Sequence, residues 1–215
     1  MSEAATALKH HFRDLDQQRA ASELGMWIFL MTELLLFGGL FTAYAIYRMS
    51  YPQAFAEASR ELSAPIGTIN TAVLIVSSFG VALAVYGAQV NGRKRLLGGL
   101  LLAIVLGTAF LVIKGFEYHE HWVHQQVPGL NFAWHQPHGE QAEIFFFLYF
   151  MMTGVHAIHL TVGIVIVSLI LLQAYRRKYS PAYHTPVEVG GLYWHFVDVI
   201  WIFLYPLLYL IDIHH

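Results

Sequence analysis

Apolar residues run through this chain in five long blocks separated by short polar segments. At about 1.5 Å of rise per residue, roughly 20 such residues cross a hydrocarbon core of about 30 Å, so each block predicts one membrane-spanning helix. The first runs from Leu24 to Tyr47 and is broken only by Glu33. The second, Ile66 to Val90, and the third, Leu96 to Ile113, hold no charge, with Lys114 at the far end of the third. The fourth, Ile144 to Tyr175, is longer than a perpendicular helix needs and should tilt or protrude. In the fifth, Gly191 to Ile211, His195 and Asp198 interrupt the run and Pro206 is expected to bend it. Lipid admits only helices or closed barrels, and these blocks are too long for barrel strands. The predicted fold is therefore all-α, a polytopic transmembrane bundle of five helices over residues 24–215, preceded by a polar tail over residues 1–23.

Composition agrees, with 57% hydrophobic and 12% charged residues, against about 25% charged in a typical soluble domain. The absence of cysteine removes disulfides, thiolate metal sites and cysteine nucleophiles. A net charge of −2 gives no field for nucleic acid. The tail mixes Lys9, Arg13 and Arg19 with Asp14, Asp16 and Glu23 and lacks the apolar core of a signal peptide. Threaded alternately, five spans place the tail and the linkers 91–95 and 176–178 on one side, together with nine of the 12 Lys and Arg residues. The positive-inside rule then puts the N-terminus of this multi-pass chain in the cytoplasm and the C-terminus outside, which in a bacterial inner membrane would be the periplasm. The opposite segment from His119 to Glu140 has no Lys or Arg but carries Trp122 and Trp134, which suits the headgroup boundary.

Ionisable residues inside the blocks are the candidates for function. Glu33 lies about nine residues into the first span, on the order of 13 Å deep, and must be neutral or paired there. His195 and Asp198 enter the fifth span from the same side, at roughly 6 and 10 Å, depths that permit contact with Glu33 if the two helices are neighbours. Glu188 precedes that span, Glu117 follows the third span on the outer side, and His156 and His159 share one helical face three residues apart. These residues read either as a buried network handling protons or lipid, or as polar glue between helices worth about 0.6–2 kcal/mol a contact. One helical face supplies ligands to only one side of a metal, which argues against haem at His156 and His159. The run His119, His121, His124, His135 and His138 is rich in imidazole, but without a thiolate or a carboxylate at fixed spacing it reads as headgroup-contacting rather than metal-binding. Gly38, Gly39, Gly154, Gly163, Ser77 and Ser78 mark close helix approaches, and neither serine has a histidine in its own span to make it a nucleophile. No catalytic, cofactor or metal residue is thus assigned to the chain.

Five motifs, in order, give the chain a family resemblance. They are Gly25 to Glu33; Ile69-Asn70-Thr71 followed by Ser77-Ser78; Glu117-Tyr118; Thr153 to His159 as Thr-Gly-x-His-x-x-His; and Glu188 followed by Tyr193 to Trp201. The chain resembles subunit III of cytochrome c oxidase over about 190 positions. The resemblance implies a non-catalytic subunit of a haem-copper oxidase that reduces dioxygen with proton pumping. It implies direct contact with subunit I, which holds haem and copper, and assembly with the copper-bearing subunit II, small subunits and phospholipid. Cytochrome c is the implied donor, and a respiratory supercomplex the wider setting. By resemblance, Glu33, His159, Glu188 and His195 belong to the buried polar and lipid-contacting set, with Glu33 the carboxyl open to hydrophobic carbodiimides.

Seven-helix members carry two further N-terminal helices that frame a lipid-filled cleft, which a five-span chain is expected to lack. Lys114 before Glu117, Ala157 and the ending Tyr205 to Tyr209 are also similar to the accessory membrane subunit associated with nitric oxide reductase. Quinol oxidases have a five-helix subunit III as well. An independent transporter is the remaining alternative, but no internal repeat supports it.

Overall fold

The computed structural model describes residues 11–134, 137–181 and 183–211. Six α-helices follow one another: α1 (Leu15–Ser50), α2 (Pro52–Arg60), α3 (Ala64–Gln89), α4 (Arg93–Val123), α5 (Gly139–Tyr175) and α6 (Thr185–Tyr205), the last continuing into a π-helical turn (Pro206–Leu210). Five are long and apolar enough to cross a membrane. Among the described residues there is one isolated β-bridge, Ser180 with Tyr183, and no strand.

Every long helix begins before its apolar block. The first begins at Leu15, inside the polar tail, because Asp14 caps it: its Oδ1 accepts the Gln17 N–H at 2.7 Å, while Gln17 Oε1 accepts the Arg13 N–H at 2.8 Å. Pro52 lacks the N–H that would continue α1, and the chain restarts as α2. This nine-residue helix has no counterpart among the five apolar blocks. It buries Ala54, Phe55 and Ala58, and Phe55 meets Tyr44 and Phe145 edge-on at 5.5 and 5.4 Å. The third spanning helix, α4, runs ten residues past Ile113, so Lys114, Glu117, His119 and His121 are helical rather than in a loop. At Pro206 the α-helical pattern of α6 gives way to the π turn that carries Tyr209.

Short connections fold consecutive helices against one another. Between α3 and α4 the turn uses Asn91 at φ 55°, and the Gly92 N–H returns to Gly87 O at 2.7 Å. The two helices approach so closely that a Cβ on Gly99 would lie 2.3 Å from Gly80 O and 2.8 Å from Ala84 N. Helix α6 is the hub: Trp194, fully buried, lies against Gly107 of α4 and Gly163 of α5, where an added Cβ would come within 2.8 and 3.3 Å of the indole. Helix α1 lies at the edge. Only 11% of its most apolar stretch is buried, against 56% for the last span. Its Leu24, Trp27, Ile28, Met31 and Leu35 face outward, as do large apolar residues on the other spans, the inverse of a water-soluble surface. Gly38 and Gly39 lie on this open side with nothing within 4 Å of an added Cβ, so they mark no helix contact within the chain, contrary to the sequence expectation. Gly154 is only in loose contact, 3.8 Å from the Tyr118 hydroxyl, whereas Gly163 is a true packing site.

Candidate functional site

The ionisable residues of the spans fall into separate groups rather than one network. On the lateral face between α1 and α5, Glu33 Oε2 and His159 Nε2 lie 2.8 Å apart. His159 Nδ1 is 2.8 Å from Val155 O, a carbonyl that can only accept, so Nδ1 carries the hydrogen. One further proton is then shared between Nε2 and Oε2, which keeps the pair neutral as a whole wherever that proton sits. Phe37 covers the imidazole edge-on at 5.4 Å, and the Tyr193 hydroxyl donates to His159 O at 3.0 Å. The two side chains keep 17% and 15% exposure on the apolar flank of the bundle, so the pair is reachable from lipid.

Neither His195 nor Asp198 joins Glu33. Although α1 and α6 are neighbours, Glu33 points toward α5, and His195 turns to α3, where its Nδ1 lies 2.6 Å from Ser78 Oγ. Helix adjacency and overlapping depth do not fix the direction in which a side chain faces. A histidine therefore does reach Ser78, from another helix rather than its own span. A nucleophile relay needs the histidine to be held by the acid as well. Asp198 is buried beside Ser78, but no hydrogen bond among the described residues joins it to His195, and no such relay is formed.

His156 and His159 likewise part company. Three residues along a helix turn by 300°, and the 60° difference is enough to send His159 to α1 and His156 into the core. There His156, fully buried, packs against Phe110 at 5.6 Å and Trp201 at 5.1 Å, with neither ring nitrogen hydrogen-bonded. At the end of the bundle where α1, α3 and α6 meet, Glu188 gathers Arg19 at 3.0 Å, His184 at 3.1 Å and Gln89 at 2.9 Å, and Arg19 also pairs with Glu23 at 2.8 Å. Glu188 thus ties three chain segments together from the first turn of α6, where the helix dipole favours a carboxylate.

The opposite half of the bundle holds a group that the apolar pattern did not reveal. Lys114 and Glu117, both 3% exposed, pair at 3.1 Å across one turn of α4. The ammonium donates to Tyr149 at 3.0 Å and Tyr209 at 2.5 Å, while Tyr149 donates to Glu117 Oε1 at 2.6 Å and Tyr209 donates to the same oxygen. The rings of Tyr149, Tyr209, Trp201 and Tyr118 surround the ammonium at 4.7, 5.2, 5.3 and 5.7 Å. The signal available beforehand was the spacing of Lys114 and Glu117, three apart and so on one face. Tyr149 and Tyr209 carried no warning, because a tyrosine in an apolar run looks like core. Thr71, of the Ile69-Asn70-Thr71 motif, accepts from the Trp201 indole at 3.0 Å.

Among the outer histidines, His121 turns inward to Gln126 at 2.6 Å, His124 lies 2.9 Å from Glu120 O, and His138 lies 3.9 Å from Glu57. His135 lies outside the described residues. Among the described residues no group of three or more His, Asp or Glu side chains is arranged to hold a metal ion.

The arrangement is one of buried pairs that lock helices and one pair, Glu33 with His159, open to the membrane flank. A family model described as cytochrome c oxidase subunit III matches residues 2–212. The cytochrome c oxidase subunit 3 of Thermostichus vulcanus is 33% identical over 192 residues, covering 87% of this chain and 86% of that one. That of Synechocystis is 32% identical over 188 residues, covering 87% and 74%. A probable quinol oxidase subunit 3 of Staphylococcus saprophyticus is 28% identical over 209 residues, covering 95% and 97%. With nearly its whole length matched and five spanning helices in place, the chain belongs to the cytochrome c oxidase subunit III family.

Proposed function

We propose that the chain serves as the non-catalytic subunit III of a haem-copper oxidase that takes electrons from cytochrome c, in the cytoplasmic membrane of a bacterium with its N-terminus inside. The observation that carries this is the family match over residues 2–212, and the higher identity to relatives named cytochrome c oxidase favours that donor. In this reading haem and copper belong to subunit I, with further copper in subunit II, and the subunit I contact is direct. The Glu33–His159 pair, neutral overall and open to the flank, suits contact with phospholipid and support of proton uptake. A quinol donor is the second reading, favoured by the relative matched over 95% of this chain.

The test is purification of the tagged protein from its own membrane in mild detergent, followed by an optical spectrum, subunit identification and donor assays. Haem a, a large copper-containing subunit and oxidation of reduced cytochrome c support the proposal. Oxidation of quinol but not cytochrome c would move it to the second reading. Haem b and c with non-haem iron would point to nitric oxide reductase, and a colourless lone polypeptide would end the oxidase reading.

A further inference from the structure

Beyond the Lys114–Glu117 pair, a line of polar side chains continues to the end of the bundle. Glu61, exposed just after α2, accepts from Gln126 Nε2 at 3.4 Å. That contact orients the amide so that its oxygen faces His121 Nδ1 at 2.6 Å. An amide oxygen only accepts, so the hydrogen of His121 sits on Nδ1 and Nε2 presents a bare lone pair. His121 is 4% exposed and its Nε2 has no hydrogen-bond partner. One turn back on the same face of α4, Glu117 is in the same position: Oε1 is bonded to both tyrosines, while Oε2 is buried without a partner. Two buried acceptors four residues apart on α4 are thus without donors. At four residues' separation their side chains leave α4 about 6 Å apart on one face, which lets a single oxygen hold a hydrogen bond of about 2.8 Å to each tip.

We infer that Glu117 and His121 hold a buried water between Oε2 and Nε2, linking the enclosed Lys114 pair to the end of the bundle where Glu61 is exposed. Water is the ligand whose chemistry fits: it donates one hydrogen to each acceptor, whereas a cation would add charge beside the Lys114 ammonium and an anion would face two lone pairs. The hydrogens on Lys114, Tyr149 and Tyr209 then exchange with solvent from that side.

X-ray hydroxyl-radical footprinting of the full chain in lipid nanodiscs, in water labelled with oxygen-18, tests this. Radicals formed from an ordered interior water modify the rings beside it. Tyr149 should label several-fold faster than Phe145, an equally enclosed ring on the same helix. In His121→Phe, which keeps the ring packed against Phe146, Tyr149 and Phe150 but removes the acceptor, Tyr149 labelling should fall to the Phe145 level. Equal labelling of Tyr149 and Phe145 in the unaltered chain would overturn the inference without reference to any variant. So would undiminished Tyr149 labelling in a folded His121→Phe protein.

Discussion

At the scale of single residues, the question is which buried charges the fold depends on. Lys114 and Glu117 satisfy each other within a ring of tyrosine hydroxyls, so removing one strands the other in the bundle interior. Lys114→Ala is expected to destabilise the protein by about 3–5 kcal/mol, whereas Lys114→Met combined with Glu117→Leu should recover most of that loss, because an apolar pair replaces an ionic one. Reversible unfolding in detergent checks both, and an additive double variant would refute the coupling. Glu33 differs in being open to the flank. Glu33→Gln can still donate to His159 Nε2, so stability should change by no more than about 1 kcal/mol, while sustained turnover or retained phospholipid in the purified complex falls at unchanged haem content. Turnover and lipid both unaltered would reduce the pair to glue. The sequence exposed Glu33, His156, His159, Glu188, His195 and Asp198 because an ionisable residue stands out in an apolar run. It could not pair them, since partners 126 residues apart, as in Glu33 and His159, are set by helix rotation that no local pattern encodes.

At the scale of elements, the five spans are legible because each is a long apolar block, and their ends are not, because a charge ends an apolar run without ending the helix. Lys114 shows this: a charge continues a spanning helix when a neighbouring helix supplies its partner. Helix α2 escaped notice for the opposite reason, being short and too polar overall to register while still burying Phe55. Close approach of helices can be tested at two adjacent glycines of α4. Gly99 faces the backbone of α3 at Gly80 and Ala84, whereas Gly98 has nothing within 4 Å of an added Cβ. Gly99→Ala should therefore cost about 1–3 kcal/mol through overpacking, and Gly98→Ala should be neutral or stabilising by up to about 1 kcal/mol through helix propensity. Denaturation of the two variants side by side reads this out, and equal effects would mean that the α3–α4 crossing lies elsewhere.

At the scale of the whole molecule, the fold fixes which segments share a side, and charge then fixes which side that is. Arg19 with Glu188, Gln89 with Glu188 and Arg93 with Tyr175 O bring the start of α1, the end of α3, the start of α4 and the end of α5 to one end of the bundle. Glu57 with His138 and Glu61 with Gln126 define the other end. The basic linkers at 93–95 and 176–178 both lie at the first end, while the segment 119–140 at the second holds no Lys or Arg. Each cation carried across the membrane opposes insertion, so the first end should remain in the cytoplasm. Because the chain has no cysteine, single introduced cysteines report this without background. Leu130→Cys, at an exposed position of the second end, should react in intact cells with a maleimide that cannot cross the membrane. Lys178→Cys, exposed at the first end, should react only after the membrane is permeabilised. The reverse pattern would invert the molecule and place the Glu188 cluster outside. Reaction of both in intact cells would contradict five crossings, because residues 130 and 178 are separated by one spanning helix, α5, and one crossing must put them on opposite sides.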